Sequence, residues 1–258
     1  MATALALPAW ASASKVEFVS AVPISRGYAM VIKAKPGETN NVTVGEAAGF
    51  PNDYRITDTG GIKDPLPPGC IRESPTSIRC PKEGLDDPTL GPLPLIQVTV
   101  FLGDGNDLFT PGTGGLEDIE LFVEAGEGDD VIIGHSGGGR ETLQGGPGDD
   151  GITTGAPADE KELDGGGGND TITVTGQAQD SALSYAGKKR RGAEIRGMAG
   201  RDRITGGPGD DDISGGSGND KLRGRGGRDR LICGGGKDKA VGGDGADVAR
   251  TCETAKGI

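Results

Sequence analysis

Aromatic side chains are nearly absent from this chain: one Trp, three Tyr and five Phe among 258 residues, or 3%. A closely packed globular core of that length draws on more large apolar side chains, which argues against an ordinary compact domain. Histidine occurs once, at His135, so there is no H-E-x-x-H zinc site. The string GHSGG, Gly134 to Gly138, matches the G-x-S-x-G nucleophile pattern. That elbow needs a strand-to-helix turn and a histidine apart from the serine, so the string reads as a glycine-rich corner. No stretch of 18 apolar residues exists, which excludes a transmembrane helix. A G-x-x-x-x-G-K-[ST] phosphate loop is missing too. The four cysteines lack the C-x2–4-C spacing of a zinc site.

Positive charge is missing from one stretch. The chain has net charge −12, yet residues 1–100 are nearly balanced at −1 and residues 188–258 carry +5. Residues 101–187 hold 18 acids against two bases. That block repels nucleic acid, and repels itself unless cations neutralise it. In the basic tail the positive residues alternate with aspartates, a pattern that argues against a nucleic-acid partner.

What the chain has in excess is glycine, 50 residues, far above the usual ~7%. The glycines are periodic. From Gly197 to Arg250 six nonapeptides run in unbroken register: GMAGRDRIT, GGPGDDDIS, GGSGNDKLR, GRGGRDRLI, CGGGKDKAV and GGDGADVAR. Position four is always Gly and position six always Asp: Asp202, Asp211, Asp220, Asp229, Asp238 and Asp247. Position eight is Ile204, Ile213, Leu222, Leu231, Ala240 and Ala249. The same unit recurs upstream as LGDGNDLFT, AGEGDDVII, GGPGDDGIT and GGGGNDTIT, with Asp107, Asp130, Asp150 and Asp170 at position six. The last three are 20 residues apart, which predicts coils of ~20 residues with irregular opposite corners such as HSGGGRE and APADEKE. Leu143 and Leu163 fall inside on the return strands. Between 165 and 197 a bulging loop around SYAGKKRRGAE is expected.

These units resemble the GGxGxDxUx repeat of RTX, or hemolysin-type, calcium-binding proteins. The resemblance implies an all-β, right-handed parallel β-helix or β-roll solenoid. Two nonapeptides make one 18-residue coil. Six residues of each form a turn that binds Ca2+, and three form a short strand with position eight inward. The physical chemistry agrees. Ca2+ takes six to eight hard oxygens, more than one turn offers, but two stacked turns can supply carboxylates and carbonyls. The expected metal residues are the ten position-six aspartates named above. Stacking sorts them into two rows, with turns starting at 102, 125, 145, 165, 197, 215 and 233 in one and 206, 224 and 242 in the other. Asn106, Asp129, Asp149 and Asn169 at position five favour the central sites. Arg201, Arg228 and Lys237 at position five, with Arg203, Arg230 and Lys239 at position seven, oppose the ion in the C-terminal coils.

With 18-residue coils, Cys252 lies almost directly over Cys233 one layer along, and layers ~4.8 Å apart suit a disulfide. That bridge would clamp the last coil, whose open edge invites pairing with other chains. Cys70 and Cys80 would close a short loop. Paired cysteines fit an oxidising, exported setting. Residues 1–14, MATALALPAWASAS, look like the late half of a secretory signal peptide, and the lack of a positive region before them points to a start further upstream.

The expected organisation is therefore 1–14 signal-like, 15–100 an irregular β region (opening coils or a small β domain), 101–196 acidic wide-coil repeats, and 197–258 a regular roll with a disulfide cap. The expected function is a secreted or surface calcium-binding solenoid without catalysis, with calcium ions and a cell-surface or matrix polysaccharide as partners, no nucleic acid and no membrane span. The alternatives are a calcium-dependent β-helix polysaccharide lyase and an adhesin, the latter suggested by TITVT (171–175).

Overall fold

The structure is a computed structural model that describes residues 17–24, 27–34, 37–64, 66, 69–87, 91–114, 116, 119–135, 139–155, 161–175 and 191–258. The expected signal-like segment 1–14, Ser136 of GHSGG, and most of the loops APADEKE and SYAGKKRRGAE lie outside the described residues. Every described element is a strand. The N-terminal seven are β1 (Glu17–Ile24), β2 (Gly27–Lys33), β3 (Asn41–Ala47), β4 (Phe50–Asp58), β5 (Ile71–Ser74), β6 (Ser77–Pro81) and β7 (Glu83–Asp87). Then come β8 (Gly91–Asp104), β9 (Leu108–Pro111), β10 (Glu120–Glu127), β11 (Val131–Ile133), β12 (Glu141–Pro147), β13 (Gly151–Thr154), β14 (Lys161–Gly167) and β15 (Thr171–Val174). The C-terminal set is β16 (Arg191–Ala199), β17 (Arg203–Thr205), β18 (Asp210–Ser217), β19 (Lys221–Gly226), β20 (Arg230–Gly235), β21 (Lys239–Asp244), β22 (Val248–Arg250) and β23 (Thr254–Lys256).

From β8 onward even-numbered strands stack in one parallel sheet and odd-numbered strands in the other, so the chain alternates between two walls of a solenoid. Alternation along each strand puts every second side chain inside. On one wall Val123, Leu143, Leu163, Ile195, Ile213 and Leu231 stack in register, all fully buried. On the other wall the stack is Phe109, Ile132, Ile152, Ile172, Ile204, Leu222 and Ala240. These are the position-eight residues, inward as expected. Each fully buried aliphatic contributes about 1.5–3 kcal/mol, and the narrow interior is filled without a large aromatic share.

The parallel ladder starts earlier than the repeats do. β2 pairs parallel with β8 and β3 pairs parallel with β9, which makes an opening coil. The remaining N-terminal strands leave that coil by antiparallel pairing: β1 on β2, β4 on β3, β6 on β4, β5 on β6 and β7 on β8. Cys70 and Cys80 are bonded, with Cα atoms 4.1 Å apart, across the β5–β6 hairpin. Cys233 and Cys252 are bonded with Cα atoms 5.1 Å apart, one layer apart at the C-terminal end.

One local feature differs from expectation. Positions one to three do not belong wholly to a turn but continue the strand, as in β12 and β14, where Gly146 pairs with Gly166 and Pro147 with Gly167. The next coil supplies the reason. Position-four N–H groups donate to the position-three carbonyl one coil on, Gly128 to Pro147 (2.8 Å) and Gly148 to Gly167 (2.6 Å). Gly146 sits at φ +113°, and a Cβ there would overlap the Gly126 carbonyl oxygen, which favours glycine, although Met198 (φ +77°) and Arg225 (φ +88°) hold position two in other units.

Candidate metal centres

At the corner between the two walls, each position-six aspartate turns inward and is at most 6% exposed. The burial is directed by a hydrogen-bond relay. The N–H of Asp107 donates to Asp130 Oδ1 (2.7 Å), Asp130 to Asp150 (2.8 Å), Asp150 to Asp170 (2.9 Å) and Asp170 to Asp202 (2.9 Å). Asp202 then donates to Asp220 (2.9 Å) and Asp220 to Asp238 (2.8 Å). The sequence separations along this row are 23, 20, 20, 32, 18 and 18 residues, yet each step crosses one coil. A second row at the other corner runs from Asp211 to Asp229 (2.9 Å) and Asp229 to Asp247 (2.8 Å). The structure thus brings the ten aspartates into the two expected rows.

Each carboxylate spends one oxygen on the relay. The other is buried with no hydrogen-bond partner in Asp107, Asp130, Asp150, Asp170, Asp202, Asp220, Asp229, Asp238 and Asp247. Asp211 is the exception, because Gly207 N–H donates to its Oδ2 (2.7 Å). A buried carboxylate oxygen without a donor is costly. Burial, assisted by the neighbouring Asp charges, pushes Asp130, Asp150, Asp170 and Asp229 up to about 7. Burial raises Asp107, Asp202 and Asp211 to about 6, and raises Asp220.

The free oxygens face a space kept open by the position-one glycines. A Cβ on Gly145 would lie 2.6 Å from the Gly165 carbonyl oxygen and against Asp150 Oδ2. A Cβ on Gly197 would lie 2.6 Å from Gly215 O and against Asp202 Oδ2, and one on Gly215 at 2.6 Å from Cys233 O and 2.5 Å from Asp220 Oδ2. Carboxylate and carbonyl oxygens bordering one small space are the donor set of a hard cation such as Ca2+. Among the described residues no three Asp, Glu, His or Cys side chains converge on a point, so a cation at these oxygens would need backbone carbonyls as well. Leu102, Ala125 and Cys233 stand at position one in place of glycine, with buried side chains.

Two expectations need revising. Position-five residues face out at the corner: Asp149 N–H donates to Asp129 Oδ1 (2.9 Å) and Asn169 N–H to Asp149 Oδ1 (2.7 Å), an exterior ladder apart from the buried oxygens. The position-seven bases Arg203, Arg230 and Lys239 also face out, because position seven has the opposite parity to six and eight. Arg230 pairs there with Asp212 at 2.9 Å. The position-one residue, not five or seven, is what differs at the buried space.

The sequence reading missed both ends of the long row. Asn40 is fully buried and donates its N–H to Asp107 Oδ1 (2.6 Å), and its amide nitrogen reaches Glu38 O (2.9 Å) and Leu102 O (3.1 Å). Glu253 accepts the N–H of Asp238 at the other end. Asp58, fully buried and raised to about 6 by burial, accepts the N–H of Asn41 (3.0 Å). The signal for Asn40 was G-E-T-N-N-V, a turn with Asn in the Asp place and the buried Val42 two residues on.

A separate polar cluster lies beyond β11 and β13. Glu141, fully buried, accepts from Lys161 Nζ, Thr154 Oγ1 and the N–H of His135 (2.6 Å). His135 and Thr154 border a cavity of about 350 Å³ with Thr113, Ile133, Thr153 and Thr175.

Stacked coils with rows of inward carboxylates define a metal-binding β-solenoid. Residues 122–138, 135–159, 162–176, 194–222 and 214–249 match the RTX calcium-binding nonapeptide repeat. Over these segments the chain carries RTX calcium-binding repeats, and there they form a β-roll. No curated protein and no solved structure matches it.

Proposed function

We propose that the chain works outside the cell as a calcium-ordered solenoid without catalysis, built as an irregular β region (15–100), acidic wide coils (101–196) and a regular capped roll (197–258). The observation that carries this reading is the set of nine position-six carboxylates that each leave one buried oxygen without a donor. Asp107, Asp130, Asp150, Asp170, Asp202, Asp220, Asp229, Asp238 and Asp247 would hold Ca2+ together with backbone carbonyls. Asp211, with both oxygens satisfied, would be a structural rung. The ion supplies the positive charge that lets adjacent inward carboxylates stay ionised, so its binding energy becomes folding energy. Millimolar extracellular Ca2+ suits modular sites of modest affinity, and two disulfides suit an oxidising compartment. In that setting the partner is a surface or matrix polysaccharide. Circular dichroism and thermal melting with Ca2+ and with chelator test the reading: the β signal and the midpoint should both rise with Ca2+. Identical spectra and melts would overturn it.

A further inference from the structure

In sequence the bases of the C-terminal coils alternate with acids, RDR, RDR, KDK, and look self-neutralised. In three dimensions they do not mix. Of the ten acids between 197 and 258, six are the buried position-six aspartates. The eleven bases of the same segment are all exposed. Asp212 lies on the opposite wall paired with Arg230, while Asp210 and Glu253 accept backbone N–H groups. Alternation has sorted most of the charges, the six position-six acids inward and the bases outward, with Asp244 left exposed at the end of β21.

The outer face of β17, β19, β21 and β23 collects the result. Arg203, Lys221 and Lys239 stack in register on successive coils. Arg223 and Lys256 stand in the next column, on either side of Val241. None of these five forms an ion pair with a described residue. At about 4.8 Å per coil they make a straight strip of about 14 Å. Toward the N-terminus the strip continues as hydroxyls, with Thr205, Thr173 and Thr153 in register.

We propose that this face binds a single chain of acidic polysaccharide laid along the solenoid axis, its carboxylate or sulfate groups on the cation stack and its hydroxyls on the threonine column. Shape and charge select this partner. A broad anionic surface such as a membrane or a duplex would also meet the acidic block of a chain with net charge −12, whereas a narrow chain meets only the strip. Single-stranded nucleic acid needs aromatic platforms for its bases. The outward residues of these four strands include no aromatic. The proposal gives a surface to the polysaccharide partner named above, and rests on the calcium reading only in that the position-six carboxylates stay inside.

The test is binding of the full chain, in saturating Ca2+, to chondroitin sulfate, with dextran, polyuridylate and phosphatidylglycerol vesicles as comparisons. Chondroitin sulfate should bind, weakening with salt, and dextran should not. Lys221→Glu/Lys239→Glu should weaken binding by roughly tenfold or more, because two attractive contacts become repulsive. Lys221→Arg/Lys239→Arg should retain it. Arg228→Glu/Arg250→Glu, the same charge change off the strip, should stay within about twofold. Circular dichroism confirms folding of each variant, and Lys221→Gln/Lys239→Gln replaces the reversal if it misfolds. Undiminished binding by the folded strip variants, or preference for polyuridylate or vesicles, overturns the proposal. Binding with no calcium dependence of folding would instead overturn the calcium reading and leave the strip standing.

Discussion

Asp150 N–H donates to Asp170 Oδ1 across 2.9 Å, while Oδ2 of that same Asp170 carboxylate is buried without a donor. One oxygen holds the neighbouring coil and the other is left for a cation. The two roles can be separated by substitution, because Asn keeps an acceptor for the relay but removes the charge.

Asp150→Asn and Asp170→Asn should therefore fold but lose calcium affinity by about tenfold or more at the affected sites, the worth of a charged ligand of about 1.5–3 kcal/mol. Asp238→Asn should lose less, because Cys233 rather than glycine stands at position one of its turn. Calcium titration calorimetry on the three variants decides it, and equal losses would contradict the role given to position one.

Acid should stabilise the metal-free chain. Asp130, Asp150, Asp170 and Asp229 have folded values near 7, above the ordinary carboxylate range, so the folded form holds protons that the unfolded form has released. Their contribution is complete below the ordinary value near 4 and is lost as pH rises through about 7. In chelator the melting midpoint should be higher at pH 5 than at pH 8. In millimolar Ca2+ the order should invert, because protons and the ion compete for the same oxygens.

Cys252→Ser should lower stability by about 2–4 kcal/mol and loosen β22 and β23 first. Hydrogen exchange would show the loss concentrated after Gly235, with the central coils protected. Uniform loss along the chain would mean that the bridge clamps more than the last layer.

Lys161→Met should cost about 3–5 kcal/mol, since it leaves the fully buried Glu141 carboxylate uncompensated. Adding Glu141→Gln should recover part of that loss in denaturant melts. An additive double variant would show that the pair is not coupled.

The rows were legible in the sequence because Asp recurs at one position in every unit, and a one-dimensional stack converts recurrence into contact. Their ends were not. Asn40 stands outside the repeats, and Glu253 closes a last step of only 15 residues, shorter than any regular coil. The Glu141–Lys161 pair was half legible: both sit two residues before an inward leucine, so parity places them inside, but their charge argued for the surface. The fate of the C-terminal bases was misjudged for the converse reason. Counting charges along the chain mixes residues that strand parity sends to opposite sides.

Successive carboxylates of the long row stand one coil apart whether 18 or 32 residues of chain separate them. Pitch is thus independent of contour length: one margin of the solenoid keeps a constant spacing while the opposite margin can take up insertions. Foreign peptides grafted beyond β13 or β15 should be carried as appendages without disturbing the periodicity, which makes the molecule a natural display scaffold.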